Sequence, residues 1–131
     1  MREILFRAHR VDKDQWAYGC YAFQGESHKI LLKRPPGWGY HIDPETVGQY
    51  TGLTDKHGTK IFEGDILQNS SNGKTAVVQW FSEHSAFMLW CKSENQVYWL
   101  YDNDFLNTEV IGNIYDNPEL LGGTDNGCKK V

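Results

Sequence analysis

Residues 42–67 read I-D-P-E-T-V-G-Q-Y-T-G-L-T-D-K-H-G-T-K-I-F-E-G-D-I-L. Nearly every position here is a backbone instruction. Asp43 before Pro44 suits a helix cap followed by proline at the first helical position, so one helical turn over 44–46 is expected. Gly48 prevents its extension, and Val47 to Leu53 reads as a strand. Asp55-Lys56-His57-Gly58 has the composition of a hairpin turn ending in a glycine with positive φ. Ile61 and Phe62 close that hairpin. Gly64-Asp65 opens the next strand, with glycine supplying an unusual backbone angle and aspartate bonding nearby amides.

Outward from this stretch, strands dominate. Arg2 to Arg10 alternates with Ile4, Phe6 and Ala8 on one side. After the polar break at 11–14, Gln15 to Phe23 forms a second strand, with Trp16, Tyr18, Cys20 and Ala22 on one face and Tyr21 and Phe23 on the other. His28 to Lys33 is a third. Arg34-Pro35-Pro36-Gly37-Trp38-Gly39 interrupts regular structure and reads as a seam. Beyond Leu67, strands are expected over 75–81, 86–91, 96–101 and 108–111, separated by turns at 69–73, 82–85 and 92–95. Single helical turns are expected over 102–107 and 117–121. Short strands at intervals near ten residues, glycine-rich turns and almost no helix signal give a mainly β fold. The reading divides the chain into an N-terminal β-hairpin unit (1–41), a small SH3-like barrel (42–121) and a disordered tail (122–131).

The chain has 131 residues and a net charge of −4, with five Trp, seven Tyr and six Phe. Its length suits a core formed without covalent staples. The acidic balance speaks against a duplex nucleic-acid binder, which concentrates Lys and Arg against phosphate. Cys20, Cys91 and Cys128 are odd in number and irregularly spaced, which disfavours a disulfide framework or a structural zinc site. Cys20 and Cys91 lie in apolar runs and are expected to be buried. That usage suits a reducing cytoplasm. The opening M-R-E-I-L-F-R breaks its apolar run too early for a signal peptide, and no stretch approaches a membrane span.

Three parts of the chain resemble the YopX family of small proteins from bacteriophages and prophages. They are the 42–67 run, the opening R-E-I-L-F-R-A-H-R-V-D-K-D-Q-W-A-Y-G-C-Y, and the closing E-V-I-G-N-I-Y-D-N-P-E-L-L. The resemblance implies a mainly β fold and a phage or prophage origin, hence the cytoplasm of an infected or lysogenic bacterium. It implies no activity and supplies no catalytic or binding residues.

Candidate chemistry is sparse. Glu63 and Asp65 lie two apart and share a face, and Asp43 or Glu45 could approach them for acid–base or metal work. The competing reading makes Asp43, Pro44, Gly58, Gly64 and Asp65 caps and turn formers, and it is preferred. His41 and Asp43 could offer two metal ligands, but nothing completes a known spacing. No nucleophile elbow or phosphate loop is present. No catalytic residue, cofactor or metal is therefore expected. The strands over 75–101 carry large apolar residues on both faces, so Phe81, Met88, Trp90 or Tyr98 needs a cover, and Trp38 could join as a loop contact. That cover is the N-terminal unit, a second protomer, or stacked single-stranded nucleic acid, in that order. The expected function is a non-enzymatic module that binds a protein partner or itself. A single-stranded nucleic-acid module is the alternative, and a small carboxylate hydrolase the third.

Overall fold

The computed structural model describes residues 2–32, 38–100 and 107–121. The chain divides into two compact units, Met1–Gly52 and Leu53–Val131. Both are built of antiparallel strands, and among the described residues the only helical pieces are single 3₁₀ turns.

The first unit holds β1 (Phe6–His9), β2 (Trp16–Gln24), β3 (Ser27–Leu31), β4 (Gly39–His41) and most of β5 (Gly48–Thr54). Their order in the sheet is β4-β3-β2-β1-β5. Strand alternation puts Phe6, Ala8, Ala17, Tyr21 and Ile30 on one face, and these form the unit's core with Tyr40, Ile42 and Val47. Cys20 falls on the opposite face and is exposed, contrary to the expectation of burial. An apolar neighbourhood in sequence did not compensate for the wrong parity.

The helical turn expected after Asp43 is present as a 3₁₀ turn over Pro44–Thr46. Asp43 caps it by accepting from the Glu45 N–H, and Pro44 stands at its start. Thr46 ties this turn to β1, its Oγ1 accepting from the His9 N–H at 2.8 Å and donating to the Asp43 carbonyl at 2.7 Å. The Asp43 N–H donates to the His9 carbonyl, and β5 continues the pairing with Phe6 and Arg7. Residues 42–50 thus join β1 by their hydrogen bonds, within the unit Met1–Gly52. Of the seam expected over 34–39, Trp38 and Gly39 are described. Residues 33–37 lie outside the described residues, but Gly39 to His41 form β4 against β3, and the Leu32 N–H donates to the Trp38 carbonyl at 2.7 Å.

In the second unit the Asp55–Gly58 turn leads to β6 (Lys60–Phe62). Asp55 is buried, and its carboxylate accepts from the backbone N–H groups of His57, Thr59 and Val110 at 2.8, 2.9 and 2.9 Å. Gly58 has the positive φ the turn requires, 84°. At the next turn Gly64 adopts φ 93°. The buried Asp65 carboxylate accepts from the Phe62 N–H at 2.7 Å. Both aspartates thus accept from backbone N–H groups of their own turns.

A five-stranded sheet follows: β7 (Asp65–Asn69), β8 (Thr75–Phe81), β9 (Ala86–Cys91), β10 (Gln96–Trp99) and β11 (Thr108–Asn113). Its order is β10-β9-β8-β7-β11. Ile61, Leu67, Ala76, Val78, Leu89 and Cys91 form its core. The expected closed SH3-like barrel is not formed. The meander β7–β10 ends on one edge, and β11 returns to pair with β7 on the other, so the sheet stays open. A 3₁₀ turn over Pro118–Leu121 follows β11, as the sequence suggested. The turn expected at 102–107 and the tail with Cys128 lie outside the described residues, Asn107 excepted. No helix among the described residues is long and apolar enough to cross a membrane.

Candidate aromatic surface on the second unit

The four-residue turn 92–95 sets the register of β9 with β10 so that Trp90 faces Val97, Leu89 faces Tyr98 and Met88 faces Trp99. The β8–β9 turn sets Val77 against Trp90, Val78 against Leu89, Gln79 against Met88 and Trp80 against Phe87. Because successive side chains alternate, these registers sort every large residue to a face. Val78, Trp80, Phe87, Leu89 and Tyr98 share the core face. Val77, Gln79, Phe81, Met88, Trp90, Val97 and Trp99 share the other.

The residues singled out from sequence therefore do not form one patch. Met88 is buried, at 4% exposure, and Phe81 and Trp90 are half-buried. Tyr98 sits on the opposite face, packed against the core, and its hydroxyl donates to Glu94. Lys74 lies over its ring at 5.6 Å and ion-pairs with Glu94 at 2.8 Å. The bond from Lys74, and then that from Tyr98, hold the Glu94 carboxyl below the usual glutamate range. Trp38 belongs to the first unit and is 66% exposed.

The residues that do emerge are two tryptophans at one end of the sheet. β8 outruns the core, so Trp80, although on the core face, is 48% exposed and meets Phe87 edge-on at 5.1 Å. On the other face Trp99 is 43% exposed. The 3₁₀ turn Ser82–His84 joins β8 to β9 at this end, and the His84 ring lies 5.6 Å from that of Trp99. Val97 adds an exposed aliphatic neighbour on the Trp99 face.

A profile described as YopX protein matches residues 6–122. The chain belongs to the YopX family. The crystal structure of protein EF1440 from Enterococcus faecalis is similar to this YopX chain. Its TM-score is 0.58 at 24% identity, over 92% of this chain and 99% of that one. At that identity the likeness speaks to fold alone. No curated protein matches.

Two of the carboxylates weighed for chemistry in this YopX chain are engaged by backbone amides. Asp43 and Asp65 accept backbone N–H bonds, and Asp43 and Glu45 belong to the first unit while Glu63 and Asp65 belong to the second. Among the described residues, no group of three or more His, Cys, Asp and Glu side chains is placed to hold a metal ion. His57 pairs with Glu109 at 3.1 Å on the surface, and His28 stacks on Tyr21 with its Nδ1 2.6 Å from the Tyr21 hydroxyl. Trp80 and Trp99 were not singled out from sequence. The available signal was strand length, since β8 carries apolar residues on its core face one pair further than the core extends.

Proposed function

We propose that this YopX-family protein is a non-enzymatic accessory protein of phage or prophage origin, acting in the host cytoplasm, that binds protein through the aromatic end of its second unit. The observation that supports this is the exposure of Trp80 and Trp99 at one end of the five-stranded sheet. Large rings half in water are enriched at protein contacts, where they bring much apolar area at low entropic cost. A self-assembling form of the same reading uses this surface between copies of the chain. The single-stranded nucleic-acid reading also needs exposed rings, but it needs cations beside them. Residues 53–131 contain no arginine, and six lysines against eleven carboxylates.

The test compares the wild-type chain with a Trp80→Ala/Trp99→Ala variant whose circular dichroism is unchanged. Both are immobilised and challenged with bacterial host lysate, and both are run on size-exclusion with light scattering. A retained protein, or a self-associated species, that the double variant loses is the expected result. Identical retention and identical mass for the two chains would refute the assignment.

A further inference from the structure

Beyond that reading, we infer that two turns of the second unit close the outer edge of β11, and that the partner they shut out is the β11 strand of a second copy of the chain. β11 is a terminal strand of its sheet, with β7 as its neighbour. An unpaired strand edge presents backbone N–H and C=O groups on which another strand can pair. The sequence of β11 offers no guard against this. Thr108-Glu109-Val110-Ile111-Gly112-Asn113 contains neither proline nor lysine, and Thr, Val and Ile favour strands.

The guard comes from elsewhere in the unit. The Thr108 carbonyl accepts from the Lys56 N–H at 3.1 Å, and the Val110 N–H donates to the Asp55 carboxylate at 2.9 Å. Residues two apart on a strand turn their backbone groups to the same edge, so the Asp55–Gly58 turn occupies both positions. His57 Nε2 and Lys56 Nζ of that turn also stand 3.1 and 3.8 Å from the Glu109 carboxylate. Past the irregularity after Val110, Asn117 takes over. Its Oδ1 accepts from the Asn113 N–H at 3.2 Å, and its own N–H donates to the Asn113 carbonyl at 2.8 Å. The Asn117 side chain lies so close to the strand that a Cβ on Gly112 would stand 2.5 Å from its Oδ1. A strand added at this edge needs the Thr108 carbonyl, the Val110 N–H and both backbone groups of Asn113, and each already has its bond. The two N–H groups are held by side-chain oxygens, which satisfy a donor without presenting a further edge. A second copy is the occupant that needs no other component, because a two-fold axis brings identical donors and acceptors together in antiparallel register.

The test compares the full chain with an Asp55→Ala/Asn117→Ala variant and uses a synthetic peptide of residues 108–113, T-E-V-I-G-N. Both chains carry Trp80→Ala and Trp99→Ala, so that association through the tryptophan end does not enter. Mass is read by size-exclusion with light scattering over a concentration series, and peptide binding by the shifts of the Val110 and Asn113 amide resonances in NMR. The capped chain is expected to keep one mass at every concentration and to ignore the peptide. The uncapped chain should move toward twice that mass as concentration rises, and should bind the peptide. A peptide N-methylated at its valine, which has lost the edge donor, should not bind. Asn117→Ala alone opens the far half of the edge, and its peptide shift at Asn113 answers the question if the double variant does not fold. The inference is overturned if the capped chain binds the peptide as tightly as the uncapped one. It is equally overturned if an uncapped chain with unchanged circular dichroism keeps the capped mass or leaves the peptide unbound, or if the N-methylated peptide binds as well as the plain one.

Discussion

At Asp55 one carboxylate closes two separate pieces of chain. Its two oxygens take N–H groups from its own turn, His57 and Thr59, and one from Val110 on β11. Burial pushes its pKa up, but the three backbone donors outweigh that and hold it below the ordinary aspartate value. A depressed folded pKa gives stability that is present above the unfolded value, about 3.9, and is lost as pH falls through the folded one. Asp55→Asn sets an amide NH₂ against at least one of those N–H groups and should cost about 2 kcal/mol at neutral pH. Urea unfolding should show that gap narrowing in acid as the wild-type carboxylate protonates. A gap that stays constant across that range would mean the charge is not what the three donors hold. Asp55 was legible in sequence as a turn former, because Asp-Lys-His-Gly is local chemistry. Its bond to Val110 was not, because the partner is 55 residues away.

At the scale of elements, β4 shows how a strand is missed. It has three residues and follows Pro35-Pro36-Gly37, a context that forbids regular structure. It nevertheless pairs because Gly39 lets two backbones meet: a Cβ there would stand 2.5 Å from the Ile30 carbonyl oxygen. Backbone on both sides leaves nothing to yield, so Gly39→Ala should detach β4. In hydrogen exchange the amides of Leu32 and Ile42, which donate to Trp38 and His28, should lose protection, while the Gly64 amide bonded to Val78 keeps its own. Unchanged protection at Leu32 would contradict the close approach. The misassigned face of Tyr98 has a similar origin. Alternation within β10 is visible in sequence, but its parity relative to β9 depends on how many residues the turn at 92–95 absorbs.

For the molecule as a whole, composition and turn chemistry sufficed for a mainly β chain, and the 42–67 run sufficed for its family. Barrel closure was beyond them. Whether β10 meets β11 depends on pairings between residues far apart in sequence, and β11 pairs with β7 instead. Each unit fills its own core, and in the second Leu89 is fully buried on the central strands. Leu89→Ala should cost about 2–5 kcal/mol through lost burial and the cavity left behind, measured by denaturant unfolding. A loss under about 1 kcal/mol would mean the core around it collapses to fill the space.

The protein-binding account rests on which tryptophans are used. The chain has five, at positions 16, 38, 80, 90 and 99, and their indole N–H resonances can be followed one by one in a heteronuclear NMR titration with the partner retained from lysate. The account predicts that Trp80 and Trp99 shift or broaden while Trp16 stays in place. Perturbation centred on Trp16 or Trp38, with Trp80 and Trp99 unmoved, would contradict it.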